Sequence, residues 1–223
     1  MSDLFDYQSS GFAVRESIKQ AHRSSWDVIA KPGSFWTGEE RVQIAEQARS
    51  ARLQRSKLPF NRNYPHSNLP DGALEVARTI AADAKRINPK WASEQIALIE
   101  SGPYVEISSI VVTITAIDTF SEALGREHAA LPSPQPGQTT GEQNPTVADI
   151  GGYVPMMEPW QGPNVARALS LVPAANALFM SNVQQMYASN GGGFSDMVWD
   201  GPLSRPQAEL LAARVSSVNE CFY

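Results

Sequence analysis

The chain has 223 residues, of which 42% are hydrophobic and 18% are charged, enough for one large domain or two small ones with a buried core. The formal net charge is −5, which argues against a broad nucleic-acid-binding surface because such a surface needs a basic excess. The composition therefore predicts a globular protein that has no nucleic acid among its partners.

The sequence also carries no sign of a membrane or secretory destination. No apolar run reaches the roughly 18 residues typical of a membrane span, and the first residues lack the basic and apolar regions of a signal peptide. Cys221 is the only cysteine, so an internal disulfide is excluded. These features predict a soluble, cytoplasmic protein with no membrane partner.

Helix signals dominate the first half of the chain. An amphipathic piece lies near residues 13–21, and Thr37 and Glu40 can form a capping box at the start of an Ala-rich helix. Asp71 is expected to cap the next helix, whereas residues 59–70 have the composition of a loop. The predicted helices span residues 37–53, 71–85, 89–100 and 103–124, with Ser101 and Gly102 ending the third.

The segment 103–124 allows two interpretations. Its β-branched residues favour a strand, but its apolar residues recur every three or four positions, as in one face of a helix. Pro103 suits a first helical turn and Gly125 suits a helix end. We therefore expect a helix. The residues of the apolar stripe are Ile107, Ile110, Ile114, Ile117, Phe120 and Leu124.

Residues 126–162 are rich in proline and glycine, and they predict a connection between two halves of the protein. After it, a short helix is expected over 163–170 and a longer one from Pro173 to about Ala188. Glycines 191–193 are expected to end that helix, since no Lys-Ser/Thr follows them as in a phosphate-binding loop. A last helix is expected to begin at a second capping box, formed by Ser204 and Gln207, and to have an apolar side.

Cys221 is the first candidate for chemistry. A thiol reacts as its thiolate, and its free pKa of about 8.5 has to be lowered for use near neutral pH. In a Cys-x-x-Cys pair one helical turn brings two sulfurs together, so that one attacks and the other resolves. The sequence ends at Tyr223, before the partner position, which is typical of an interrupted chain. By itself, a lone cysteine is more often a small packed hydrophobic residue.

The residues around Cys221 add a family context. The segment 204–223 resembles the core motif of the carboxymuconolactone decarboxylase and alkylhydroperoxidase D-like family, with matches at Glu209, Leu210, Val215, Ser216, Asn219 and Cys221. The resemblance implies an all-α fold of two helical bundles, the second of them incomplete, and thiol-dependent reduction of peroxides or disulfides. It also implies that Glu209 belongs to the proton relay that activates Cys221.

The chain departs from the family motif in two ways. The second cysteine and the histidine of the motif have no positions in this sequence. His22, His66 and His128 lie far away along the chain, and each is expected to be a surface or loop residue. Glu209 lies twelve positions before Cys221, which on an ideal helix leaves the two side chains about 120° apart, so contact does not follow from spacing.

The first half contains a weak copy of the same pattern. Aligned with the segment that begins at Glu209, Glu106 falls on Glu209 and Asp118 falls on Cys221. A duplication would make residues 1–125 a degenerate domain without a thiol, 126–162 the connection, and 163–223 the start of a redox-type domain. Two amphipathic helices could also share these positions by chance, and both interpretations stay open.

Three functions follow from these patterns. The first is a peroxidase-related thiol oxidoreductase of the alkylhydroperoxidase D-like family with Cys221 and Glu209 as catalytic residues, no cofactor and no metal. Its partners would be further copies of the chain, a dithiol reductant and a peroxide substrate. The alternatives are a non-catalytic helical interaction protein and a decarboxylase-type enzyme of the same family. A basic patch of Arg49, Arg52, Arg55 and Lys57 is expected to be a solvent-exposed helix face.

Overall fold

The computed structural model describes residues 4–187 and 202–218. Within these ranges the fold is helical, with one two-stranded antiparallel ribbon, which confirms the all-α prediction. The helices are α1 (Glu16–Ala30), α2 (Gly38–Leu53), α3 (Asp71–Ala82), α4 (Pro89–Ile99), α5 (Ser101–Ala123), α6 (Pro173–Tyr187) and α7 (Arg205–Val218). The ribbon pairs β1 (Val147–Ala148) with β2 (Met156–Met157).

The chain divides into two compact units, Met1–Asn182 and Val183–Tyr223. The division differs from the boundary predicted at residues 126–162, because that segment lies inside the first unit. Prolines prevent it from forming a helix, but several of its backbone N–H groups bond to other parts of unit 1. Gln135 N–H donates to the carbonyl oxygen of Ala30 at 2.8 Å, and Asn144 N–H donates to that of Leu171 at 2.9 Å.

Helix α5 lies at the centre of unit 1, where it packs against α2 and α3. The isoleucines of its predicted stripe are buried in the hydrophobic core, which confirms helix over strand for this segment. By length and composition α5 could also cross a membrane, but 72% of its most apolar window is buried inside the protein. The helix is followed by Leu124 and Gly125 (φ +66°), and Arg126 N–H donates to the carbonyl of Ser121 as in a Schellman motif.

Several helix boundaries differ from the predictions. Helix α1 continues to Ala30, well beyond the predicted amphipathic piece. Asp71 is the first residue of α3, which ends at Ala82, and the N-cap position belongs to Pro70, which makes no side-chain cap. Gly102 does not end a helix: it lies inside α5, where the Phe35 ring packs so closely that a Cβ would come within 2.5 Å of it. The bend between α4 and α5 is made instead by Glu100, whose φ is +69°.

Unit 2 contains the last turn of α6 and the whole of α7. Ser204 N–H donates to the Gln207 side chain at 2.8 Å, which confirms the predicted start of α7. No described residue of α7 is buried. Its apolar side is exposed to solvent, with side chains between 56% and 70% accessible at Leu210, Leu211, Val215 and Val218. The predicted turn at glycines 191–193 lies outside the described residues.

Candidate functional site

Glu209 is the predicted catalytic residue that the structure describes. It lies on α7 with its side chain 43% exposed. The phenol of Tyr187, at the end of α6, donates to the carboxylate and lies 2.8 Å from each of its oxygens. Arg205, one turn earlier on α7, approaches the same carboxylate with its Nε at 3.6 Å. The carboxylate is thus held by a neutral donor and reached by solvent.

The phenol of Tyr187 keeps its proton at neutral pH. Burial raises its pKa above the ordinary value of 10.0, and the hydrogen bond to Glu209 raises that pKa further. Tyr187 therefore acts as a donor toward Glu209 over the physiological range. Cys221, the other predicted catalytic residue, lies outside the described residues.

Glu106, which aligns with Glu209, has a different environment in unit 1. It is 1% exposed and forms an ion pair with Arg41 of α2. Its second oxygen accepts a hydrogen bond from the backbone N–H of Phe35 at 2.8 Å. Both carboxylate oxygens are therefore occupied, and solvent does not reach them.

Asp118, which aligns with Cys221, is also buried and paired with α2. Arg49 donates to it twice, from Nε and Nη2, each at 2.8 Å. Such a bidentate pair is among the stronger polar contacts in proteins. The two acids of the internal repeat pattern thus join α5 to α2 and show no free carboxylate.

The predicted basic patch is only partly solvent-exposed. Arg55 and Lys57 are exposed as expected, but Arg49 and Arg52 are turned toward α5, which corrects that part of the prediction. Arg52 donates to both oxygens of Glu122, at 2.7 and 2.6 Å. This contact, helped by His128, lowers the pKa of Glu122 to about 2. The correction arises because α2 packs against α5, so arginines on that side of α2 meet the acids of α5.

The three histidines have different environments. His66 is exposed, as predicted. His128 follows α5 and its Nε2 lies 2.8 Å from Glu122. The prediction is wrong for His22, which is a fully buried residue of α1 and not a surface or loop residue. Its Nδ1 lies 2.7 Å from the Tyr7 hydroxyl. The buried ring also contacts the rings of Phe5 and Phe120.

The burial of His22 predicts a loss of stability in mild acid. Burial lowers its pKa to about 4, from 6.5 for the accessible side chain. Below pH 6.5 the unfolded chain binds a proton that the folded protein excludes, so the stabilisation is complete above pH 6.5 and is lost as the pH falls toward 4. We expect this group to remove roughly 2 kcal/mol of unfolding free energy between pH 7 and 5.

Urea unfolding at pH 7, 6 and 5 measures this effect. His22→Gln keeps a partner for Tyr7 but does not titrate, so its stability should depend less steeply on pH than that of the wild type. His66→Gln removes an exposed histidine and should leave the wild-type slope unchanged. Equal slopes for the wild type and His22→Gln would contradict the prediction.

Unit 1 also contains a polar cavity of about 290 Å³ that the sequence did not predict. It lies between the N-terminal segment and the loop after α5, and it is lined by Tyr7, Ser121, Arg126 and His128 among others. Tyr7 has φ +53°, a left-handed conformation that is uncommon for a residue other than glycine. The cavity can admit a small polar molecule, but its two walls lie over 100 residues apart in sequence, so no local pattern reveals it.

The described ranges contain no group of three or more histidine, cysteine or acidic side chains placed to hold a metal ion. Comparisons with protein-family models, with curated proteins and with solved structures gave no match. The class of protein is therefore defined by the helical fold, and the family remains an expectation from the sequence motif.

Proposed function

We propose that the protein is a thiol-dependent oxidoreductase of the alkylhydroperoxidase D-like kind, in which Cys221 is the reactive thiol and Glu209 transfers its proton. The observation that carries the proposal is the environment of Glu209. Its carboxylate is half-exposed and held by the neutral Tyr187, so it can exchange a proton with solvent and with a neighbouring group.

The contrast with unit 1 supports a division of roles between the units. Glu106 and Asp118 occupy the aligned positions on α5, but each is buried against an arginine of α2. A carboxylate in that environment serves as a charge partner and is shielded from substrate. In this proposal unit 1 is a helical module that does not catalyse the reaction, and the catalytic residues lie on α7 and after it.

The proposed reaction begins with the Cys221 thiolate, after its proton has passed to Glu209. The sulfur attacks the terminal oxygen of the peroxide, the O–O bond breaks, and the leaving alkoxide takes the proton back from Glu209 to give an alcohol. The products are a sulfenic acid at Cys221 and the alcohol. Because the sequence has no second cysteine, an external dithiol reduces the sulfenic acid: its first thiol forms a mixed disulfide and releases water, and its second thiol then frees Cys221 and leaves the dithiol as its own disulfide.

Dithiol-dependent peroxide consumption tests the proposal. Cys221→Ser should abolish it, and Glu209→Gln should slow it by about 100-fold, the usual contribution of one acid–base group. Glu39→Gln changes an exposed acid of α2 and serves as the matched control, with the wild-type rate. Activity that survives Cys221→Ser would refute the proposal.

A second candidate function is favoured by the exposed apolar side of α7. A helix with several large aliphatic side chains in solvent is typical of an interaction surface. The protein would then be a non-catalytic helical module that self-associates. Absence of peroxide consumption in the wild type and in Cys221→Ser, with a stable oligomer in sedimentation, would favour this function over the first.

A further inference from the structure

We propose that the loop formed by residues 53–63 binds the surface of an anionic lipid bilayer, with its apolar side chains among the headgroups and its cations beside the lipid phosphates. The inference is independent of the proposed thiol chemistry, because the loop belongs to unit 1. The sequence predicted no membrane partner because no apolar run was long enough to span a bilayer. Contact with the bilayer surface needs no such run.

The loop exposes large apolar side chains. Phe60 is 80% accessible to solvent, and Leu53 and Leu58 are 57% and 59% accessible. Among the described residues, no other large hydrophobic side chain is as exposed as Phe60. Single apolar residues are common on protein surfaces, whereas several in one short segment are typical of an interaction site.

Hydrogen bonds restrain the loop, so these side chains are presented by an ordered backbone. The Gln54 side chain donates to the carbonyl of Asn63 at 2.6 Å and accepts from the Asn63 N–H at 2.8 Å, which closes the base of the loop. Within the loop, the Arg62 guanidinium donates to the carbonyls of Lys57 and Arg55 at 3.1 and 3.2 Å. A loop that is already ordered loses less conformational entropy on binding.

The loop also concentrates positive charge in a chain whose net charge is −5. No acidic residue lies between Glu46 and Asp71 in the sequence, and the loop carries Arg55, Lys57 and Arg62. Within the part of the chain that the structure describes, none of these three cations forms an ion pair. Their charge is therefore available to an anionic partner.

A lipid surface suits this loop better than an acidic protein segment does. Peptides are usually recognised by a groove or by the free backbone of a strand edge. The loop has its carbonyls at Arg55 and Lys57 occupied by Arg62, and no described strand lies within it. A bilayer requires neither feature, because apolar side chains enter the headgroup boundary while basic side chains meet the lipid phosphates.

Sedimentation of the full chain with lipid vesicles tests the inference. We expect binding to vesicles of equal parts phosphatidylserine and phosphatidylcholine, weaker binding at high salt, and little binding to phosphatidylcholine alone. Lys57→Gln should weaken the binding by about fivefold, the contribution of one cation near an anionic surface. Phe60→Ser should weaken it by about tenfold or more, because a large apolar side chain is no longer removed from water.

Three matched variants serve as controls and should bind like the wild type. Lys90→Gln removes an exposed cation of α4, and Leu98→Ser removes a leucine that is 70% exposed on the same helix. Leu211→Ser removes an exposed leucine of α7, the other apolar surface among the described residues. All the replaced side chains are exposed, so each variant should keep the circular dichroism spectrum and thermal unfolding of the wild type.

Four results would overturn the inference. The first is no binding to the mixed vesicles, and the second is equal binding to phosphatidylcholine alone, which would leave the cations without a role. The third is binding that is lost in Leu211→Ser and unchanged in Phe60→Ser, which would place the contact on α7. The fourth is capture by immobilised polyglutamate without binding to vesicles, which would assign the loop to an acidic protein partner.

Discussion

Replacing Arg41 with methionine is expected to lower the free energy of unfolding by about 3–5 kcal/mol, the usual cost of leaving one partner of a buried ion pair without the other. The Arg41 and Glu106 side chains are 5% and 1% exposed, so water cannot replace the missing guanidinium. Arg41 also donates to the carbonyl of Val28, and that bond would be lost with it. Since small domains are stable by only about 5–15 kcal/mol, such a loss is large.

Chemical denaturation of three variants tests this expectation. Arg41→Met should unfold at the lowest denaturant concentration, and the double variant Arg41→Met/Glu106→Leu should regain much of the stability because no buried charge remains. Arg23→Met breaks the exposed pair with Glu16 and should have little effect. If the double variant is as unstable as Arg41→Met, the loss of stability comes from poor packing at these positions and not from an unpaired charge.

Replacing Gly33 with alanine is expected to cost about 3 kcal/mol, because the added methyl group would overlap the same buried ion pair. A Cβ at Gly33 would meet both the Glu106 carboxylate and the Arg41 guanidinium at distances shorter than any real contact. Neither group can retreat, since each is fixed by its hydrogen bonds. The backbone cannot move freely either, because the Gly33 N–H donates to the carbonyl of Trp36 at 2.9 Å.

Gly152→Ala is the matched control for this substitution. Its nearest neighbour would be the terminal methyl group of Met156, which can rotate away, so we expect a much smaller loss of stability. Thermal unfolding of the two variants beside the wild type measures the difference. Equal shifts in Tm would mean that the contact at Gly33 relaxes without separating Arg41 from Glu106.

The two substitutions act on one polar centre, where the α1–α2 loop, α2 and α5 meet. Its position explains why Glu106 has no free oxygen although it aligns with the proposed catalytic Glu209. The same alignment places a salt-bridged aspartate, Asp118, where the other segment has Cys221. In unit 1, the residues at both aligned positions therefore form ion pairs that join α5 to α2.

The sequence predicted the helices best where a local signal defines a local hydrogen bond. Thr37 and Glu40 form the capping box at the start of α2 that their types and spacing indicate. Gly125 ends α5 with a positive φ, as a glycine in that place suggests. Predictions failed at Asp71, since the N-cap of α3 is Pro70, and at Gly102, which lies inside α5 against the ring of Phe35.

What the sequence determined by itself was the all-α class and most of the helices, because these depend on local patterns; the roles of Glu209 and Cys221 stay a prediction. Only the tertiary structure decided which charged side chains pair, because Arg41 and Glu106 are 65 positions apart and no local sequence pattern links them. It likewise decided that His22 is buried beneath Tyr7 and that Tyr187 holds Glu209. Helix caps and periodicity depend on neighbours within a few residues, whereas these contacts depend on how whole helices pack.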